Sequence, residues 1–275
     1  MQESFYSIPG CPCSIALISD LHEAPFMAVL ASLRKNRPSL ICVAGDFLIG
    51  RLPKEVSKVR EAGLLPFFSA CASLAPCFVS LGNHEWVLTE ADMELLRGCG
   101  VSVLDNAFTA LTVLGRPLVL GGLSSARVNE YRRALRSGLT PLEANDLTRP
   151  VGVTKHVPPQ LSWLDDFAAC PGYHILLCHH PEYYPHWLAD RNIELILSGH
   201  AHGGQIRLFG RGLYSPGQGL LPGLTGGVID GRLVISRGLA NTRRVPRLFN
   251  PPELVYILPA EGRPDSSVQQ AQDFY

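Results

Sequence analysis

The chain has 275 residues, 46% of them hydrophobic, which is enough for one large domain with a sizeable core. Lys plus Arg and Asp plus Glu both total 24, so the formal charge is zero and bulk attraction to a polyanion is excluded; no specific nucleic-acid binding is expected. Residues 1–13 carry no Lys, no Arg and no apolar run of signal-peptide length, and no apolar stretch approaches the roughly 20 residues that span a bilayer.

Eight scattered cysteines without an export signal read as reduced thiols in a cytoplasmic chain. Cys11 and Cys13, the one close pair, lack the further Cys or His neighbours of a soft-metal site and read as loop residues.

Three short apolar runs come first, at residues 15–19, 40–44 and 78–81, and each ends in a polar cluster. Continuous Ile, Leu and Val runs of this length predict strands buried on both faces. Helices are predicted between and after them at 26–36, 54–74 with a break near Pro66, and 89–99. The first half therefore reads βαβαβα, with a mostly parallel sheet. A hairpin at 108–113 and 117–122 follows, then a strand at 173–178, a helix near 183–191 and a strand at 195–198. Beyond His202 the chain is Gly-rich and β-like, at 205–209, at 227–229 turning through Asp230-Gly231 into 232–236, and at 254–258.

The expected fold class is α/β, a four-layer sandwich of two central mixed sheets packed face to face and flanked by helices. Residues 1–258 are expected to form a single domain. Residues 125–158, carrying Arg127, Arg132, Arg133, Arg136, Arg149, Lys155 and His156, would make a helical excursion over one face. These arginines, like Arg243, Arg244 and Arg247, suit either a solvated surface or contact with a phosphate or polar head group. Residues 259–275 form a polar tail expected to be disordered.

In open α/β sheets, ligands collect at the carboxyl ends of the strands. Five stretches are thereby expected around one crevice: Asp20-Leu21-His22, Gly45-Asp46, Gly82-Asn83-His84-Glu85, His179-His180-Pro181, and Gly199-His200-Ala201-His202-Gly203-Gly204-Gln205. Two carboxylates, an amide oxygen and several imidazoles form a mixed donor set that suits two divalent transition-metal ions, Mn, Fe or Zn, better than Mg or Ca. Two such ions with two aspartates and a bridging hydroxide sum to about +1, a local field that favours a small anionic, phosphate-containing substrate. His156, His174 and His186 fall outside these stretches and read as structural. Phe47, Trp86 and Tyr131 are expected near the rim of the crevice.

In this order, Asp-x-His, Gly-Asp, Gly-Asn-His-Glu, His-x-Pro and Gly-His-x-His resemble the calcineurin-like metallophosphoesterases, from about Ser14 to Leu258. The extended Gly-His-Ala-His-Gly-Gly-Gln string, with Ser236-Arg237-Gly238-Leu239 and Asn250-Pro251-Pro252-Glu253-Leu254, is similar to a bacterial subgroup that includes membrane-associated phosphodiesterases and lipid-pathway pyrophosphatases. Those relatives usually begin with a membrane anchor, a pattern from which these first residues depart.

The resemblance implies that Asp20, His22, Asp46 and His202 hold one metal and Asp46, Asn83, His179 and His200 the other, with Asp46 shared and a metal-bridging hydroxide attacking in line. It leaves His84 free of metal, to stabilise the phosphoryl oxygen or protonate the leaving group. Neighbouring residues on a strand face opposite ways, and the family pattern selects His179 as the ligand. His180 is left as a supporting or substrate contact. Glu85 would orient His84 or a ligand. The Gly203-Gly204 pair would let the backbone pass close to the metals or simply form a turn.

Phosphomonoesters, phosphodiesters and pyrophosphates all fit, including a membrane-lipid or lipid-sugar pyrophosphate reached by peripheral contact with a membrane. A non-catalytic scaffold on the same fold is the competing reading, and a complete donor set with His84 beside it argues for catalysis.

Overall fold

A computed structural model of the chain describes residues 1–52, 57–153, 156–241 and 246–260. Lys54, Lys155, Arg243, Arg244 and the tail from Glu261 lie outside the described residues. The first half runs β1 (Gln2–Ile8), β2 (Ile15–Ile18), α1 (Met27–Asn36), β3 (Leu40–Ala44), α2 (Lys58–Glu61), α3 (Leu65–Leu74), β4 (Cys77–Ser80), α4 (Glu90–Gly98) and β5 (Ser102–Leu104). After these come β6 (Ala107–Val113), β7 (Arg116–Leu123), α5 (Ala126–Arg136), α6 (Pro141–Thr148), α7 (Leu164–Ala169), β8 (Tyr173–Cys178) and β9 (Leu195–Ser198). The short ladders β10 (Arg207–Leu208) with β11 (Arg211–Gly212) and β12 (Tyr214–Ser215) with β13 (Gly219–Leu220) precede β14 (Gly227–Ile229), β15 (Leu233–Ile235) and β16 (Glu253–Pro259).

Two six-stranded mixed sheets result, ordered β1-β16-β2-β3-β4-β5 and β14-β15-β9-β8-β7-β6. In the first, β2 to β5 pair in parallel while β16 returns antiparallel to β2. Strand period explains why their sequences are apolar without alternation. Ile15, Leu17, Cys42, Ala44 and Phe78 meet Leu118, Leu120, Ile175, Leu177 and Leu197 of the other sheet, whereas Ala16, Ile18, Ile41, Val43 and Val79 pack against the helices. Each fully buried Leu or Ile in these layers contributes roughly 1.5–3 kcal/mol, and both faces of the first sheet are filled in this way. The second sheet buries its outer face under Phe167, Tyr183, Tyr184 and Leu188.

Differences from the sequence reading have local causes. The break in the helix expected at 54–74 falls at residues 62–64, because Pro66 is tolerated in the first turn of α3. The helix expected near 183–191 is one π-helical turn, Tyr184–Leu188. Strand β1 escapes an apolar search because it is an edge strand of mixed polarity, QESFYSI. Cys11 and Cys13 lie in a loop, yet both are packed into the core between the sheets. All eight cysteines are free thiols.

Candidate metal centre

Asp20 and His22 follow β2, Asp46 follows β3, and Asn83, His84 and Glu85 follow β4; His179 and His180 follow β8, and His200 and His202 follow β9. Five strand ends, three from one sheet and two from the other, therefore deliver the residues singled out in the sequence. Backbone bonds knit them together: Asp20 N–H donates to Gly45 O at 3.2 Å, and Gly199 N–H to His179 O at 3.0 Å.

Asp20 Oδ1 lies 3.8 Å from His22 Nε2, 3.5 Å from His202 Nε2 and 4.0 Å from His179 Nε2. Asp46 Oδ2 lies 3.0 Å from His179 Nε2 and 3.9 Å from His84 Nε2. Donor atoms of Asp20, His22 and His202 form one group within 4.8 Å, and those of Asp46, His179 and His200 form a second; Asp46 also falls within that distance of His22 and His84, so it stands between the two.

The donors fit cations on a direct test. Asp20 Oδ1, His22 Nε2, Asn83 Oδ1, His179 Nε2 and His200 Nε2 are buried with no hydrogen-bond partner among the described residues. Buried polar atoms normally have partners, and leaving one bare costs about 1–3 kcal/mol, so five in one crevice mark a place where a bond is made to something else.

Tautomers sort the imidazoles. His22, His179 and His202 place Nδ1 at 3.0, 2.7 and 3.0 Å from the carbonyls of Leu48, Ala44 and Ala240, so Nδ1–H donates and the Nε2 lone pair faces the crevice. His84 is reversed. Gly50 N–H donates to its Nδ1 at 2.8 Å, which puts the proton of the neutral ring on Nε2. In that tautomer His84 presents an N–H to the crevice, where it also forms a group with donor atoms of His22 and Asp46 within 4.8 Å.

Backbone conformation sets the same residues apart. Asp20, His22, Asp46, His200 and His202 all adopt positive φ, from 46° to 65°. Such non-glycine conformations cost stability and persist where the surroundings demand them, commonly at functional sites.

The charges are strongly interdependent. Burial alone would raise the Asp46 carboxyl, but His179, His84 and His22 overcome it and hold Asp46 well below the usual carboxylate range. Burial opposes a proton on His179, yet Asp46 and Asp20 draw its pKa up to about 10, and a cation held at Nε2 would displace that second proton and use the lone pair. Burial pushes His200 well down and His202 down to about 4, so both are neutral imidazoles. For His84, burial is again the main depressing cause, with the Arg127 charge adding to it against the pull of Asp46.

Supporting residues hold the centre from behind. The fully buried Glu85 carboxylate accepts from Asp46 N at 2.7 Å, Gly82 N at 2.8 Å and Leu48 N at 3.0 Å. It thus pins the loop that presents Asp46, one of the candidate ligands, and all three of these bonds come from backbone N–H groups. Burial, then Asp46, raises its own pKa to about 8. His180 faces Ser125 Oγ at 2.9 Å through Nε2 and lies 4.2 Å from the His200 ring, between centroids, with the two planes tilted by 52°. His180 also belongs to a further group with Glu182 and His200.

Asn250, outside the expected set, donates to His202 O at 2.7 Å and Gln205 O at 3.0 Å. The only hint of it in the sequence was its place at the head of Asn-Pro-Pro-Glu-Leu. Gly203 and Gly204 form a turn, one of the two expectations, with φ of 63° and 75°, and Gly203 also makes room for Asn250 and Gly204 for Gly212. Phe47 and Tyr131 are core residues, not a rim, whereas Trp86, edge to face with Tyr131 at 4.6 Å, is buried in the core and also lines the cleft beside His84.

Beside His84 and Asn83 opens a cleft of about 510 Å³, lined also by Arg51, Leu52, Trp86, Arg127, Arg149 and Val153. Arg127 reaches it from the first turn of α5 and is only 7% exposed. Its Nη1 donates to Asn83 O at 3.2 Å, its Nη2 to Asn145 Oδ1 at 2.9 Å, and its guanidinium lies 4.9 Å from the Trp86 ring centroid. Nε has no hydrogen-bond partner among the described residues. In the sequence Arg127 was one of several arginines in the excursion, and only its position relative to Asn83 separates it from them.

Clustered carboxylate, amide and imidazole donors at the strand ends of a layered α/β sandwich define a metal-dependent hydrolase. The chain belongs to the calcineurin-like phosphoesterase family, whose model matches residues 13–204. It is 26% identical over 246 residues to YpbG of Bacillus subtilis (strain 168), covering 88% of this chain and 79% of that protein. The phosphodiesterase YaeI of Escherichia coli (strain K12) is 24% identical over 215 residues, 74% of this chain and 66% of that one. The UDP-2,3-diacylglucosamine pyrophosphatase LpxG of Chlamydia trachomatis serovar D is 26% identical over 286 residues, 87% and 81%. Among the described residues no helix is long and apolar enough to cross a membrane.

Proposed function

We propose that residues 1–258 act as one domain that hydrolyses a phosphomonoester, phosphodiester or pyrophosphate with two divalent transition-metal ions, Mn, Fe or Zn. Asp20, His22, Asp46 and His202 would hold one ion, and Asp46, Asn83, His179 and His200 the other. When bound, the pair supplies positive charge against the phosphate oxygens and acidifies a water.

The chain's own residues supply the geometry. Carbonyl bonds to Nδ1 keep three imidazoles aimed, and Glu85 fixes the Asp46 loop through three backbone bonds. His84 Nε2–H donates to a phosphoryl oxygen or to the departing oxygen, and the cleft beside it receives the esterified group. The free thiols suit a reducing compartment, so we place the protein in the cytoplasm.

The observation that carries this reading is the set of five unpartnered, buried ligand atoms contributed by four of the five separate stretches. Metal analysis together with turnover of p-nitrophenyl phosphate and bis-p-nitrophenyl phosphate tests it. Chelation should abolish turnover, and Mn, Fe or Zn should restore it. Asp46→Ala should lose both metals and activity, and undiminished turnover in that variant would refute the shared-ligand arrangement.

A lipid-linked pyrophosphate is favoured as a second reading by the mixed cleft wall, where Ile49, Leu52 and Val153 stand beside Arg51, Arg127 and Arg149. Hydrolysis of a lipid pyrophosphate more efficient than that of the soluble diester supports this reading; the reverse order argues against it.

A further inference from the structure

Six of the exposed large apolar side chains fall together on the chain that leaves His202. Phe209, Leu220, Phe249 and Leu221 are 105%, 81%, 79% and 76% exposed, and Leu208 and Leu248 adjoin them. Arg207 N–H donates to Leu248 O at 3.0 Å, which sets the 248–249 tip beside the β10–β11 ladder. Leu221 N–H donates to Leu213 O, also at 3.0 Å, and Leu213 N–H to Ile206 O at 2.9 Å, which brings Leu221 to the base of the same ladder.

Three of these residues stand in a backbone conformation that disfavours them. Phe209, Leu221 and Phe249 have φ of 50°, 50° and 55°, a region suited to Gly or Asn and strained for bulky apolar residues. They neither pack into the core nor suit their turns, so the fold itself does not account for their presence.

Charge supplies the third observation. Residues 203–229 and 239–252 contain no Asp or Glu, while Arg207, Arg211, Arg243, Arg244 and Arg247 all fall there in a chain of zero net charge. Described Arg211 is exposed on the same ladder as Phe209. Exposed apolar side chains beside the exposed Arg211, on segments whose sequence carries Arg and no Asp or Glu, complement an anionic bilayer surface.

We propose that the 208–209, 220–221 and 248–249 tips insert into the interface of a membrane containing anionic lipid and set the metal crevice against it. Asn250, next to Phe249, donates to His202 O, so the docking tip adjoins in the chain the residue that braces His202. The proposal rests on the phosphoesterase reading only for what is delivered to the crevice, and vesicle binding is measured without turnover, so the two fail separately.

Sedimentation with vesicles of equimolar phosphatidylcholine and phosphatidylglycerol is the test, using the full chain, Phe209→Ser/Phe249→Ser, Leu220→Ser/Leu221→Ser and Arg211→Glu. The unaltered protein should partition onto these vesicles, less onto phosphatidylcholine alone and less at high salt. Each serine pair should lower the partition coefficient by about tenfold or more. Turnover of bis-p-nitrophenyl phosphate in solution should be unchanged, which reports that each variant folds; Arg211→Glu reads out the surface if a serine pair does not. An unaltered protein that stays in the supernatant, or serine variants that bind equally well, overturns the proposal. So does a dimer that the serine pairs dissolve without any vesicle binding, which would assign the tips to a second copy of the chain.

Discussion

Adding one methyl group at Gly82 should cripple the centre while leaving most of the fold intact. A Cβ there would stand 2.7 Å from Asp46 N and 3.0 Å from Asp46 Cγ, and closer still to Asp46 Oδ1, whereas ordinary contact begins at 3.4 Å. Gly82 has no positive φ, so alanine suits its backbone and the whole penalty is steric. Either Asp46 retreats or the Gly82 loop opens, and opening breaks the bonds that Glu85 accepts from both Gly82 N and Asp46 N. Overpacking of this kind costs about 1–3 kcal/mol, and displacing a reacting group by ~1 Å costs on the order of 10²-fold in rate.

Gly98→Ala is the matched control. It closes α4, its Cβ would meet nothing within 4 Å, and alanine should be neutral or stabilising by about 0.5–1 kcal/mol. Urea unfolding followed by tryptophan fluorescence, with turnover of bis-p-nitrophenyl phosphate across a Mn titration, separates the two effects. Gly82→Ala with the rate of the unaltered enzyme at every Mn concentration would show that Asp46 is not held as argued.

His84→Gln should reduce turnover by about 10²–10⁴-fold with metal content retained; metal lost in parallel with activity would show that His84 is a ligand and its tautomer misassigned. Arg127→Lys gives up the paired bonds to Asn83 O and Asn145 and the packing over Trp86, so KM should rise about tenfold with a smaller fall in kcat. An unchanged KM would remove Arg127 from the substrate cleft. Asn250→Ala should weaken metal retention about tenfold, since it frees the turn that presents His202; equilibrium dialysis that finds equal retention counts against this support. Under native alkylation Cys99 and Cys170, the two partly exposed thiols, should label first, and Cys13, pushed up to about 12 by burial, should stay protected at neutral pH; early labelling of Cys13 would contradict its packing.

Much of the scaffold was legible because apolar runs of four to six residues ending in polar clusters have few structural solutions. Strands at 40–44, 173–178 and 195–198 lie where the runs predicted, since residues buried on both faces leave an unbroken apolar signature. The gathering of the five polar stretches was legible too, because motifs at strand ends collect at one edge of a parallel sheet.

What the sequence left open was decided by contacts between residues far apart in the chain. Local pattern cannot say that His84 accepts from Gly50 N while His179 donates to Ala44 O, yet which ring nitrogen carries the proton decides whether the other offers the crevice an N–H or a lone pair. Nor does it reveal that Glu85 holds the Asp46 loop, that Arg127 among several arginines reaches Asn83, or that Asn250 braces His202 from 48 residues away. Periodicity records which face of an element is buried; it carries no record of which distant backbone group a polar side chain will find once the layers close, and packing of the two sheets sets that.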